Sequence, residues 1–314
     1  MKIYVSLGHD QRSAATEAAA AEAAGFHGVC TGEHLFFHGA MPNAFVSLAV
    51  AAGATTRVRL LSALTVLPLY PAALAAKLAT SVDQVSNGRF DLGIGVGGEF
   101  PAEFTAAGVD LQQRGRRTDE ALDVMKRLFT GEAIEFNGAY TRIPGQRLDP
   151  PPVQHGGPPV WVGGRREAAV RRAGRLGDVW FPYMYTPEQL ATSLESARDH
   201  AEDGGRGRAH IAGAIHCWGG VDDNPSRSRA EVIEAVSNTY QQDFTNLADR
   251  YLLHGTPERV AARIAEYRDA GAEYLVFAPV GDAQRRSEIV ANFARKVLPA
   301  IQSEDNLQLS YAHQ

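Results

Sequence analysis

Val58–Glu99 reads VRLLSALTVLPLYPAALAAKLATSVDQVSNGRFDLGIGVGGE. Two apolar runs, Val58–Val66 and Arg89–Gly95, flank the segment Ala72–Val85, whose alanine and leucine content favours a helix. Neither run alternates apolar with polar residues, so both faces of each strand are expected to be covered, as in a parallel sheet overlaid by helices. The first run leaves through a proline-bearing loop and the second through glycines. Such loops, at the C-terminal ends of parallel strands, are where α/β folds place their chemistry.

The same unit recurs in both directions along the chain. Upstream, Lys2–Leu7 and Gly28–Thr31 read as strands and Ser13–Ala24 and Pro42–Ala52 as helices. Downstream, helices are expected near Pro101–Ala107 and over Gly115–Phe129, followed by a hairpin over Ala133–Ile143 with Asn137-Gly138 as its turn signal. Pro144–Pro159 holds six prolines and is therefore read as a surface excursion, neither helix nor central strand. Strands resume at Pro159–Gly163, Asp178–Pro182, His210–Trp218 and Tyr274–Ala278, separated by helices over Arg165–Arg175, from Thr186, over Arg227–Arg250 and from Thr256. Eight strand–helix units in series, with an insertion at about 133–158 after the fourth strand, imply parallel pairing with right-handed crossovers. The expected fold is an α/β (β/α)8 TIM barrel spanning 1–314 as one domain. A doubly wound sheet is disfavoured, because no G-x-G-x-x-G opens a helix after the first strand.

Composition limits the function classes. With 314 residues, 45% of them hydrophobic and 21% charged, the chain can bury an ample core. A net charge of −5 gives no basic surplus for nucleic-acid binding, and no apolar run approaches the ~20 residues a membrane span requires. The N-terminal MKIYVSL lacks the pattern of a signal peptide, so a cytoplasmic location is expected. Cys30 and Cys217 fall inside strands without metal-type or CxxC spacing and read as inert core thiols.

In a barrel the strand C-termini converge on one face. They bring together His9, the Glu33-His34 pair, the Thr65–Tyr70 loop, Gly95–Glu99, Gly163-Gly164-Arg165, Trp180–Tyr185 and His216–Trp218. Gly163-Gly164-Arg165, between a strand and a helix, offers bare N–H groups and a cation for a phosphate, or simply a tight turn. The glycines from Gly93 to Gly98 either admit a ring close to the fourth strand or serve barrel packing. His9, Glu33, His34 and His38 lack the spacing of a metal site, so none is expected. No G-x-S-x-G elbow supports a serine hydrolase. Trp161 reads as core, whereas Tyr70, Trp180, Tyr183, Tyr185 and the phenylalanines Phe36, Phe37 and Phe100 make the mouth apolar and aromatic, which suits a small hydrophobic molecule.

Four segments together resemble the bacterial-luciferase-like flavin oxidoreductases, the luciferase-like monooxygenases and their F420-dependent relatives. They are SALTVLPLYPAALAAKLATSVDQVSNGRFDLGIGVGG, FPAEFTAAGVDLQQRGRRTDEALDVMKRLFTGE, PPPVQHGGPPVWVGGRREAAVRRAGRLGDVWFP and GTPERVAARIAEYRDAGAEYLVFAPV. The resemblance implies F420 or FMN across the mouth, with its phosphate at Gly163, Gly164 and Arg165. It implies a non-prolyl cis peptide ending the third strand behind the ring, at Ala63–Leu64 or else Ser62–Ala63. Ser62, Ala63, Leu64, Gly97 and Gly98 are then cofactor-binding residues. Glu33 and His34 match the family's acidic-His pair at the reactive edge, with His34 as general acid/base or substrate-orienting group. His9, Tyr70, Glu99 and Trp180 are the residues expected at the substrate.

Three departures bear on the reaction. The proline of Leu69-Tyr70-Pro71-Ala72 is shifted by one place, Glu33 stands where F420 enzymes often carry Asp, and the doubled histidine of true luciferases is absent. Light emission is thus not expected. The implied function is a redox step on a small organic substrate, by F420-dependent hydride transfer or by monooxygenation with FMNH2 and O2, the reduced flavin coming from a separate reductase. A homodimer is implied by the resemblance alone. The alternatives are a flavin-binding barrel without turnover and a metal-dependent hydrolase on the same fold.

Overall fold

The structure is a computed structural model that describes residues 1–302 of the chain. Nine strands form its large sheet: β1 (Lys2–Ser6), β2 (Gly28–Thr31), β3 (Arg59–Ser62), β4 (Thr65–Val66), β5 (Phe90–Gly95), β8 (Val160–Gly163), β9 (Val179–Phe181), β10 (Ala212–Gly219) and β11 (Ala272–Pro279). β6 (Ile134–Asn137) and β7 (Arg142–Gln146) make a separate antiparallel hairpin. The large sheet runs β3-β2-β1-β11-β10-β9-β8-β5-β4, and a further β3–β5 pairing closes it. Because β3 and β4 are two halves of one strand, this is the expected closed eight-strand parallel barrel.

The helices α1 (Ala14–Ala23), α2 (Ala44–Ala54), α3 (Ala72–Val85), α4 (Pro101–Ala106), α5 (Arg114–Leu128), α6 (Glu167–Leu176), α7 (Pro187–Asp203), α8 (Pro225–Tyr240), α9 (Ala248–Tyr251), α10 (Pro257–Asp269) and α11 (Ala283–Asn292) follow the strands. The start of α7 carries the capping box that Thr186 and Gln189 announce. The core has two layers. Tyr4, Cys30, Leu61, Trp161, Val179, Phe181, Ala214 and Val276 fill the barrel interior, while a larger apolar layer lies between strands and helices. Trp161 and both cysteines are buried as read from the sequence.

The differences from expectation are local. The helix expected over Arg227–Arg250 is broken, because α8 ends at Gln241 in the left-handed conformation and α9 restarts seven residues later at Ala248. The hairpin pairs Asn137 with Arg142 and the Gly138 N–H donates to the Thr141 carbonyl (2.9 Å), so its turn lies at Ala139-Tyr140 and not at Asn137-Gly138. Pro144 lies inside β7, a position open to proline because the hairpin has only two strands and each has a free edge. The insertion then packs back on the barrel: the buried Asp83 accepts hydrogen bonds from the N–H groups of Val153 and Gln154 and from the Gln154 amide.

Strand three is not continuous. The Ala63–Leu64 peptide is cis and separates β3 from β4, which pairs with β5 through Thr65 and Val66. Gly93 makes the approach possible. Its N–H donates to Ser62 Oγ (3.0 Å), the same hydroxyl donates to the Gly93 carbonyl (2.9 Å), and a Cβ on Gly93 would collide with the Ser62 carbonyl oxygen. Since the obstacle is backbone in a close-packed interior, Gly93→Ala should destabilise the protein by about 2–3 kcal/mol. Chemical denaturation checks this; a loss below ~0.5 kcal/mol, the scale of a neutral surface change, would mean that the contact relaxes freely.

Candidate active site

Leu64 is the floor of the mouth. Its backbone emerges from the break in strand three, and its side chain lies against Gly95 and Gly163, where a Cβ on either glycine would press on the Leu64 methyl groups. It joins the interior apolar cluster from above, so the barrel ends in a smooth, small-residue surface on which a flat ring can rest. Ser62 lies beneath this surface. It is fully buried and bonded to Gly93, so its hydroxyl supports the floor rather than reaching the mouth.

Gly163-Gly164-Arg165 turns from β8 into α6. Gly164 has φ +139°, and a Cβ there would stand 2.6 Å from Ala169 Cβ, so only glycine fits both backbone and space. Arg166, the N-cap of α6, makes no side-chain cap, which leaves the first N–H groups of this ten-residue helix for a ligand at its positive end. The turn therefore has the chemistry of a phosphate cradle. Arg165 does not hang free. Its guanidinium lies 4.7 Å from the centre of the Tyr183 ring, and its carbonyl accepts the Tyr185 hydroxyl (2.8 Å). Gly97 and Gly98, both at positive φ, are crowded by Val66 and Phe104 and by Arg114 respectively.

The rim beside β5, β9 and β10 is aromatic. Tyr183 donates to Glu99 Oε1 (2.6 Å) and stacks at 6.4 Å on Tyr240, whose hydroxyl accepts the Trp218 indole N–H (3.3 Å). Burial first, then the Glu99 charge, raises the Tyr183 phenol, which stays protonated. His216 stands between Phe181 and Trp218, and its buried Nδ1 has no hydrogen-bond partner. Trp180 is a correction. It is fully buried, belongs to the layer between strands and helices and donates its indole N–H to Ser193 Oγ (2.9 Å), so it faces α7 and not the mouth. The alternation of side chains along a strand turns Val179 and Phe181 inward and Trp180 outward.

Glu33 and His34 are separated by their partners. Glu33, 5% exposed, accepts through Oε2 from Asn43 Nδ2, the Ala44 N–H and the Tyr70 hydroxyl, each at 3.1 Å. Its Oε1 is buried without a partner. Burial is the largest influence and pushes its carboxyl above the usual range, against the donors that oppose it. His34 turns to Glu103 instead. Its Nδ1 lies 3.2 and 3.3 Å from the two carboxylate oxygens, and its ring stacks on Phe37 at 4.3 Å. Glu103 is completely buried and also accepts the Leu35 N–H (3.2 Å). A carboxylate can only accept, so it fixes the proton on His34 Nδ1 and leaves Nε2 as the nitrogen available for proton exchange.

Glu103 was not singled out from the sequence. Its signal was a carboxylate in the first turn of a Pro101-led helix directly after the glycine run, which reads equally as ordinary first-turn charge. His9 is exposed at the rim. Among the described residues no three His, Cys, Asp or Glu side chains gather as a metal-ligand set, and no helix is long and apolar enough to cross a membrane.

The comparisons with known proteins bear on the family and the fold. The family model described as luciferase-like monooxygenase matches residues 4–274. Uncharacterized proteins of Mycobacterium tuberculosis and Mycobacterium bovis are 34% identical over 162 residues, 52% of this chain and 55% of theirs, so the chain spans about half the length of these curated relatives. The fold is similar to that of monooxygenase RslO1 from Streptomyces bottropensis (TM-score 0.84, 24% identity, 95% of this chain and 99% of that one). It is also similar to an F420-dependent secondary alcohol dehydrogenase in complex with an F420-acetone adduct (0.83, 20%, 96% and 98%). A third such fold is the oxygenating constituent of 3,6-diketocamphane monooxygenase of Pseudomonas putida, in complex with FMN (0.76, 18%, 96% and 98%).

Burial lowers His216 to about 4, and burial with the nearby Lys2 and Arg59 charges does the same for His27. The unfolded chain takes up these protons near pH 6.5 and the folded chain only near 4, so stability is full above about 6.5 and falls as pH drops through that window. His216→Gln, which cannot titrate, should flatten the decline of Tm between pH 6.5 and 4. An unchanged slope would show that His216 ionises freely in the fold.

Proposed function

Because the chain belongs to the luciferase-like monooxygenase family, we propose that it is an oxidoreductase using F420 or FMN on a small hydrophobic organic substrate. F420 is the preferred cofactor, on motif resemblance, with FMN and a separate reductase as the second choice. The observation that carries the reading is the pairing of a glycine-built floor and turn with a histidine held by a buried carboxylate above the same barrel end. Bound there, the cofactor supplies the electrons or hydride that side chains cannot.

The chain's own residues provide the rest. Leu64, backed by Gly95 and Gly163, supports the ring from below. Gly163, Gly164 and the start of α6 hold the phosphate end, and Arg165 adds charge beside it. The aromatic rim of Tyr183, Tyr240 and Trp218 limits water on the other side of the mouth, around the bound cofactor. Glu103 orients His34, and His34 Nε2 gives or takes the proton that accompanies reaction at the substrate. A homodimer belongs to the same proposal, with sedimentation velocity as its check.

Titrating the protein separately with F420 and FMN, followed by absorbance, tests the reading directly; binding of neither overturns it. With the cofactor that binds, His34→Ala should lower kcat about 100-fold or more while its Kd changes little. Glu103→Gln should lower kcat less and displace the pH–rate profile, because it acts through His34. Equal losses in Kd and kcat for His34→Ala would remove the proton-transfer role. Gly164→Leu should instead weaken cofactor binding at least tenfold, and unchanged affinity would rule out the proposed phosphate turn.

A further inference from the structure

A cavity of about 380 Å3 opens beside the mouth, between the loop after β2 and the loop after β4. Most of its wall is apolar, including Leu35, Met41, Pro42, Val66 and Leu69. Its polar end is Glu33, with His34, Asn43 and Tyr70 around it. All the hydrogen bonds that Glu33 receives reach Oε2, so Oε1 is a buried carboxylate oxygen without a partner. Val66 N–H acts on the carboxyl from nearby without closing a hydrogen bond of normal geometry. A second buried carboxylate, Glu103, stands behind His34, and no lysine or arginine lines the cavity.

Such an end has a definite preference. An unpaired buried acceptor calls for a donor, and a site with two carboxylates and no lysine or arginine in its wall favours a donor that carries positive charge. A hydroxyl satisfies only the first requirement, and a carboxylate ligand neither. Each donor on Oε2 is already committed: Asn43 Nδ2 also reaches the Tyr70 oxygen (2.9 Å), and the Ala44 N–H belongs to the first turn of α2. None of them is free to turn to Oε1. The volume beyond Glu33 is walled by side chains that bind only hydrocarbon.

We propose that this cavity takes the substrate, and that the substrate is an amine whose ammonium group sits on Glu33 Oε1 with its apolar body against Met41, Val66 and Leu69. That the occupant is the substrate rests on the oxidoreductase reading above; that the cavity selects an amine rests on Glu33 alone. The head group then lies next to His34, and the apolar body extends along the wall away from it.

The test uses hexylamine, 1-hexanol and hexanoate in calorimetric titrations of the full chain at pH 7.5, with and without bound cofactor. Hexylamine should bind at least about tenfold more tightly than 1-hexanol, and hexanoate least of all. Glu33→Gln, which keeps an oxygen for the Ala44 N–H, should abolish the difference between amine and alcohol. Tyr70→Phe, which removes one donor from Oε2, should preserve or enlarge it. Equal binding of amine and alcohol, no binding of any probe, or a preference that survives Glu33→Gln would each overturn the assignment. Amine binding in a chain that takes up neither F420 nor FMN would overturn only the oxidoreductase reading.

Discussion

The contact between Ser62 and Gly93 governs the working end of this barrel. A serine hydroxyl bonds both to the N–H and to the carbonyl of a glycine on the neighbouring strand, at a distance that leaves no room for a Cβ. That approach ends β3, lets the chain turn inward at Ala63–Leu64 and lets β4 resume pairing further along β5. Leu64 is thereby set over the barrel interior against Gly95 and Gly163. One polar contact inside an apolar barrel thus places the surface on which the cofactor is proposed to lie.

Around that floor, charge is managed by burial. Glu33, after β2, and Glu103, in α4, are both removed from solvent at the same end of the barrel, yet they have opposite circumstances. Glu103 is satisfied by His34 and the Leu35 N–H, and in return determines which imidazole nitrogen carries the proton. Glu33 is satisfied on one oxygen only, and burial raises its carboxyl. Across the mouth, Glu99, Tyr183 and Arg165 form a third arrangement, in which a phenol mediates between a carboxylate and a guanidinium that do not pair directly. Groups held so close to unpaired are a hallmark of sites that interact with something else.

The fold was legible because its signals are local and repeated. Apolar runs without alternation, helices between them and Thr-Pro helix starts at Thr186 and Thr256 recur around the whole ring. Part of the candidate site was legible for the same reason: Gly163-Gly164-Arg165 sits where a strand meets a helix, and the Ala63–Leu64 peptide, which is cis, was one of two positions the resemblance allowed. Trp180 shows the limit. Its place at a strand end suggested the mouth, but in a three-residue strand a single step of alternation decides between mouth and helix layer.

The amino-acid order alone therefore determined the barrel, the position of its insertion, the loops that meet at its open end and the kinship of the chain. Tertiary structure alone decided which of those loop residues touch. Glu103 lies sixty-nine positions from His34, and Tyr183 eighty-four from Glu99. No periodicity or motif links residues so far apart. They meet because the pairing of β2 with β3 and of β3 with β5, and of β5 with β8 and of β8 with β9, sets the ends of these strands side by side on one rim.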